Sequence, residues 1–225
     1  MGVGVAIILE NILNAAELLR LQAFIARASW RDGAATAGWH ARGVKHNEQA
    51  EGAGIDAARS TVAEALARNE QFRAGALPRN MSTVLFSRYL PGMEYGLHVD
   101  DALMPVGAGR LRSDLAMTIF LNDLDSYTGG GLLMPGAPEG GFRLPPGHGV
   151  LYPATSLHRV LPVETGARVA AVFWIQSIVR EDAARETLFD LSRARRMIFD
   201  KEGKSPAFDL ISKSHANLLR RWAEV

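Results

Sequence analysis

The sequence predicts a mostly β core with flanking helices: a double-stranded β-helix, or jelly roll, with N-terminal helices and a helical C-terminal appendix. Three observations carry this. From Asn80 onward, short apolar segments follow one another between Gly, Pro and Asn-Asp punctuation. Ahead of them lie stretches with a helical period, and beyond Ile178 the helical period returns.

The N-terminal segment, 1–79, is expected to mix helix and strand and to pack on the barrel. Residues 2–9 are apolar but too short for a membrane span and have no basic flank or cleavage pattern, so they read as a strand. Asn14 with Glu17 three residues on has the form of a capping pair, and Leu18, Leu21, Ile25 and Ala28 recur behind it at helical spacing. A second helix is expected over 56–69. Residues 31–54, rich in Gly and Ala, read as loop or edge strand.

The core, 80–177, contains eight strand-like segments at 82–90, 95–99, 115–121, 131–134, 141–144, 149–152, 158–163 and 168–177. In the last 48 residues, 178–225, Leu188, Leu191 and Ile198 share one helical face and Phe208, Ile211, Leu218 and Trp222 another. Helices this short depend on burying such a face, so the appendix is expected to pack on the jelly roll or on a second subunit rather than trail as a tail.

Composition narrows the function. A chain of 225 residues with 48% hydrophobic and 22% charged content and a net charge of +1 is an ordinary globular protein, with no basic stripe to suggest a nucleic-acid partner. No apolar run reaches the length of a membrane span. The absence of cysteine excludes disulfides, thiolate metal sites and cysteine nucleophiles, and is compatible with a cytoplasmic location.

The chemistry lies in His98, Asp100 and His158. In an extended strand, residues i and i+2 face the same side, so His98 and Asp100 can reach one metal while Val99 and Asp101 point away. A single histidine follows 60 residues later on what reads as a returning strand. Two imidazoles and a carboxylate on one face of an octahedral ion form the facial set of non-heme Fe(II) oxygenases. A chance His-x-Asp is common among 6 histidines and 24 acidic residues, so the dyad depends on its context.

That context includes Arg168, ten residues after His158, at the head of the strand Arg-Val-Ala-Ala-Val-Phe-Trp-Ile-Gln. Its alternation partners Ala170, Val172, Trp174 and Gln176 should share its face, and a guanidinium is well suited to grip a carboxylate bidentately. The bland alternative is a surface salt bridge. Across the Pro91-Gly92 turn, Tyr89 can return to the same cavity and donate its phenol to that carboxylate, or simply pack at the barrel rim. Tyr95 reads as core or rim. His148 between two glycines reads as a turn residue, and His40, His46 and His215 as solvated or structurally bonded histidines.

Together, Tyr89-x-x-Gly92-x-x-Tyr95-x-x-His98-x-Asp100, Gly129-Gly130-Gly131-Leu132, Leu144-Pro-Pro-Gly147, His158-x-Val160-x-Pro162-Val163 and Arg168 resemble the 2-oxoglutarate/Fe(II) dioxygenases of the prolyl-4-hydroxylase type. Leu77-Pro-Arg-Asn-Met-Ser-Thr, Leu111-Arg-Ser-Asp-Leu-Ala, Leu151-Tyr-Pro-Ala-Thr-Ser-Leu-His158 and Phe173-Trp-Ile-Gln-Ser draw the resemblance closer to the bacterial PKHD-type hydroxylases, over nearly the whole chain. It implies Fe(2+) on His98, Asp100 and His158. It further implies 2-oxoglutarate as cosubstrate with its distal carboxylate on Arg168 and Tyr89, O2 as co-reactant, and L-ascorbate as reductant. Related halogenases leave the carboxylate position to a halide; Asp100 fills it here, which favours hydroxylation.

The implied substrate is a protein or peptide linked to iron uptake, with a small molecule as the other choice; homo-oligomerisation is left open. The rival class is a sensor or hydrolase in which the same triad serves a non-oxygenase jelly roll, a protein with no use for Arg168. The chain departs from the family pattern at Gly131, where a Glu is usual, at Lys45-His46-Asn47, where relatives read Lys-Asn-Asn, and at His148, where an acid is common.

Overall fold

The computed structural model describes residues 6–224. Its elements, in chain order, are β1 (Ile7–Leu9), α1 (Ala15–Ile25), β2 (Ser29–Asp32), β3 (Glu48–Glu51), α2 (Ile55–Arg68), α3 (Glu70–Ala76), β4 (Pro78–Met81), β5 (Leu85–Tyr89), β6 (Tyr95–His98), β7 (Leu103–Val106), β8 (Gly109–Arg112), β9 (Leu115–Phe120), β10 (Tyr127–Gly129), β11 (Leu132–Leu133), β12 (Gly149–Pro153), β13 (His158–Val160), β14 (Val163–Gly166), β15 (Arg168–Ser177), α4 (Asp182–Glu202) and α5 (Pro206–Trp222). A large sheet runs β1-β12-β9-β15-β5-β3-β2, with β4 also pairing along β15. Facing it is the small sheet β11-β13-β6, accompanied by the pairs β10-β14 and β7-β8. This is the jelly-roll arrangement expected from the strand spacing.

The central strands are buried on both faces because each face has its own cover. On β9, Leu115, Met117 and Ile119 join Phe86, Leu151, Phe173 and Ile175 in a cluster under α1, α2 and α3, which contribute Leu21, Val62, Leu66 and Phe72. Ala116 and Phe120, on the opposite face, join Tyr89, Tyr152, Val160 and Trp174 between the two sheets. The alternation read along β15 holds: Val169, Ala171, Phe173 and Ile175 face the helices, while Arg168, Val172 and Trp174 line the interior cavity.

Local chemistry sets the helices. Asn14 accepts from the Glu17 backbone N–H while the Glu17 carboxylate accepts from the Asn14 N–H, a complete capping box. α1 ends at Ile25, so Ala28 lies beyond it. The second helix runs Ile55–Arg68, and Asn69 both closes it and caps α3, accepting from Phe72 N–H at 2.8 Å. Of the expected strand at 2–9, the described part is β1, and Gly2–Val5 lie outside the described residues.

Other expectations need correction. Residues 141–144 form no strand, only a single bridge from Phe142 to Leu132, because the left-handed Gly140 and Gly141 and then Pro145-Pro146 interrupt the ladder. Residues 158–163 split into β13 and β14. Residues 31–54, read as loop or edge strand, are both: loop fills most of the stretch between the end of β2, which is the edge of the large sheet, and β3 beside it.

The C-terminal helices pair with each other and dock on α3. Leu188 is fully buried with Val179 and Ala184, and Leu77, Leu218, Leu219 and Trp222 pack around them. Phe199 meets Phe208 across the helix pair at 5.1 Å. The chain end is also tied to the barrel. Arg112 spans from Asp114 to Glu224, and the Glu224 N–H donates to the Ile178 carbonyl at 2.7 Å. Leu188→Ala should therefore cost about 2–5 kcal/mol, as for truncation of a fully buried leucine. Urea denaturation monitored by circular dichroism checks this; an unchanged midpoint would show that the helix pair does not share in global stability.

Candidate metal and anion site

β6 and β13 are antiparallel, and their register puts His158 directly opposite His98. Asp100 lies two residues past His98, and one ligand atom from each of the three side chains falls within 4.8 Å of the others. Each histidine donates from Nδ1 to the backbone carbonyl two residues before it: His98 to Gly96 at 2.8 Å and His158 to Ser156 at 3.0 Å. These bonds place the other lone pair on Nε2, and the Nε2 atoms stand 3.9 and 3.8 Å from Asp100 Oδ1.

The residues present suit a cation. Burial, and then the neighbouring His158, push His98 down to about 3, so its imidazole is neutral and free to coordinate. Burial raises Asp100 above the usual carboxylate range, and its Oδ2 is buried with no hydrogen-bond partner among the described residues. A divalent ion would complete that atom and stabilise the carboxylate. The Tyr95 ring stacks on His98, with centroids 3.5 Å apart and planes 15° apart, and fixes the ring's plane. Tyr95 thus belongs to the site wall, a role its sequence position did not disclose.

Arg168 is 1% exposed. Its guanidinium lies against the rings of Tyr89 and Phe120, at 5.2 and 5.3 Å from their centroids, and among the described residues its Nε has no hydrogen-bond partner. Among the described residues no carboxylate pairs with it, so the surface salt bridge weighed from the sequence does not exist. Tyr89, also buried, sits directly opposite Arg168 in the β5-β15 register. The triad, Arg168 and Tyr89 all line one cavity.

A second wall was not read from the sequence. Lys45 bridges to Tyr95 on the small sheet, while Glu48 and Gln49 pair with Arg88 and Ser87 on the large one. The extended chain between them therefore spans the two sheets, and Lys45, Asn47 and Gln49, at every second position, line the cavity. Burial holds Lys45 down to about 8. The period of two was visible in Lys45-x-Asn47-x-Gln49, but the Gly/Ala-rich surroundings masked it. Asp101, expected to point away from the metal, lies 3.7 Å from His40 at the cavity edge, and His40 also meets the Val99 carbonyl. His46 is exposed and His215 is buried beside Arg195.

The profile of the 2OG-Fe(II) oxygenase superfamily matches residues 84–176. A PKHD-type hydroxylase of Synechococcus elongatus is 51% identical over 221 residues, covering 97% of this chain and 99% of its own. The chain belongs to the PKHD-type hydroxylases. Another member, from Crocosphaera subtropica, is 45% identical over 96% of this chain and 98% of its own. The fold is shared with a Pseudomonas putida prolyl-4-hydroxylase, at a TM-score of 0.51 and 16% identity over 78% of this chain and 93% of that one. As a PKHD-type hydroxylase, the protein is a 2-oxoglutarate-dependent enzyme of a family that uses Fe(2+).

Two glycines adapt this hydroxylase's loop to its cavity. A methyl group on Gly131 would lie 1.8 Å from the Gly140 carbonyl oxygen, so the 131–140 loop closes here on a position that admits no side chain. Gly130 has φ of +66°, and a methyl group there would meet Arg168 Cδ at 2.9 Å. Gly130→Ala should cost about 1–2 kcal/mol for the left-handed backbone, with further loss from displacing Arg168. Urea unfolding and 2-oxoglutarate titration check the two parts; wild-type values in both would show that this glycine does not shape the anion site.

Proposed function

We propose that His98, Asp100 and His158 hold Fe(II) and that Arg168, assisted by Tyr89, holds the distal carboxylate of 2-oxoglutarate, so that the protein hydroxylates a substrate presented at this cavity. One observation carries the reading: a buried guanidinium with no carboxylate partner among the described residues shares a cavity with the His-Asp-His cluster. Arginine is rarely buried unless paired, and a cosubstrate carboxylate is the partner that the side chains themselves do not supply.

When bound, Fe(II) with 2-oxoglutarate and O2 supplies the oxidising chemistry. The chain supplies position and dryness. Arg168 and Tyr89 fix one end of the cosubstrate, the Nε2 atoms and Asp100 fix the metal, and Val172, Trp174, Leu132 and Val160 form apolar wall that keeps bulk water from the reacting atoms. Asp100 completes a three-residue facial set, which supports hydroxylation as the outcome.

The substrate we assign is a protein or peptide, with iron uptake as the process to examine first, as the resemblance implies. Trp39, 89% exposed between the cavity-lining Gly38 and His40, supports a peptide by offering apolar contact beside the site. Succinate formation with Fe(II), 2-oxoglutarate, O2 and L-ascorbate, screened against peptide and metabolite pools, tests this. Stimulation by metabolites alone would overturn the peptide assignment.

His158→Ala should abolish turnover, because two remaining ligands cannot hold the facial set; full activity in that variant would sink the metal assignment. Arg168→Ala should weaken 2-oxoglutarate binding by about tenfold to over a hundredfold, the equivalent of roughly 1.5–3 kcal/mol for a charge-assisted contact. Arg168→Lys should fall between, since an ammonium has the charge without the fork. Tyr89→Phe should lose less. Titration calorimetry on the metal-loaded protein reads all three, and an unchanged affinity in Arg168→Ala would assign the carboxylate elsewhere.

A further inference from the structure

Lysine is almost never buried unless it is paired, yet Lys45 is 6% exposed in the interior of this protein. Among the described residues no carboxylate stands within ion-pair distance of its nitrogen. Its one hydrogen bond among the described residues is to Thr36 Oγ1, at 2.7 Å. The Thr36 hydroxyl donates its own proton to the Gly33 carbonyl at 2.8 Å, so at Lys45 it acts only as acceptor. Of the three N–H groups of the ammonium, one is thus accounted for. The charge also lies 5.1 Å from the centroid of the Tyr95 ring. That contact is favourable but offers no lone pair to the two remaining N–H groups.

Position gives these free donors a use. Lys45 lines the cavity that holds the triad and Arg168, but it is carried by the chain segment spanning the two sheets, whereas Arg168 is on β15. Tyr95, whose ring the ammonium approaches, stacks on His98, so Lys45 stands one aromatic ring from a triad histidine. The cavity therefore contains two buried cations on different walls, with the triad close to one of them.

We propose that Lys45 is a second carboxylate-binding residue of the cavity, for an acid group other than the one assigned to Arg168. The proposal rests on reading the cavity as the 2-oxoglutarate site. A carboxylate at Lys45 comes from one of two sources: the metal-side carboxylate of the cosubstrate, or an acid group on the substrate. Either fills the free N–H groups and neutralises a charge that burial disfavours.

The test uses the full chain loaded with Zn(II), which is diamagnetic and prevents turnover. 2-Oxoglutarate is titrated calorimetrically into the wild type, Lys45→Met, Lys45→Arg and Arg168→Ala. In parallel, the Lys45 side-chain nitrogen resonance of the 15N-labelled wild type is followed as 2-oxoglutarate and then acetate are added. A loss of at least tenfold in Lys45→Met, largely restored in Lys45→Arg, together with a shift of the resonance on adding 2-oxoglutarate, assigns the site to the cosubstrate. An unchanged cosubstrate affinity, with a resonance that moves only when acetate is added to the 2-oxoglutarate-saturated protein, assigns it to an acid group on the substrate. If neither anion moves the resonance, the proposal is overturned and Lys45 is a structural cation on Tyr95; because this arm uses the wild type, it holds even if Lys45→Met fails to fold. Arg168→Ala separates this failure from that of the reading beneath it, since wild-type affinity there removes the Arg168 assignment whatever Lys45 does.

Discussion

The position of His158 opposite His98 in one antiparallel strand pair is the constraint on which the site depends. A slip of one residue would turn either imidazole to the outer face and leave Asp100 with a single nitrogen neighbour. The pair is not a regular ladder: Val160 meets Tyr95 rather than Gly96, so the register shifts immediately beyond the histidines. Such irregularities re-aim side chains next to active sites. Here the shift brings Tyr95 into the ladder beside the ring it stacks on. The small sheet is only three strands wide, and the large sheet, clamped under α1, α2 and α3 by a continuous apolar cluster, supplies the rigidity it lacks.

The interior is electrostatically unusual for a domain of this size. Asp100, Lys45 and Arg168 are all buried around one cavity, and their spacing leaves each short of a full set of partners. In an ordinary core such groups would be replaced by apolar side chains at no loss of stability. Their retention fits a cavity completed by a cation and by carboxylates, and it locates the sacrifice of folding stability where binding can return it. The aromatic faces of Tyr89, Phe120 and Tyr95 ease that sacrifice by lying against the cations.

How much was legible from sequence follows from which residues carry their information locally. That His98, Asp100 and His158 come together, and share a cavity with Arg168, was legible because alternation in a strand and the scarcity of reasons for such residues in an apolar run are local facts. The capping box at Asn14 and the faces of β15 were legible for the same reason. Lys45, Asn47 and Gln49 were not, because their importance comes from a segment that pairs with one sheet at one end and another sheet at the other. The hairpin β7-β8 was not among the expected strands, because Pro105 and the Gly107-Ala108-Gly109 tip break up its apolar residues. Helix α3 was missed because Asn69, read as the end of α2, also begins the next helix. Residues 141–144 looked like a strand by composition, but the partner needed to make one is displaced by the turns on either side.

His98 and His158 use the same device: each ring is oriented by a carbonyl of its own strand end, two residues back. Many metal sites instead borrow an acid or amide from a distant element to set the tautomer, which couples ligand geometry to residues far along the chain. Here the orientation travels with the ligand. The loops around the cavity, including the 131–140 loop that closes against Gly131, can therefore change in sequence and shape without re-orienting the two imidazoles.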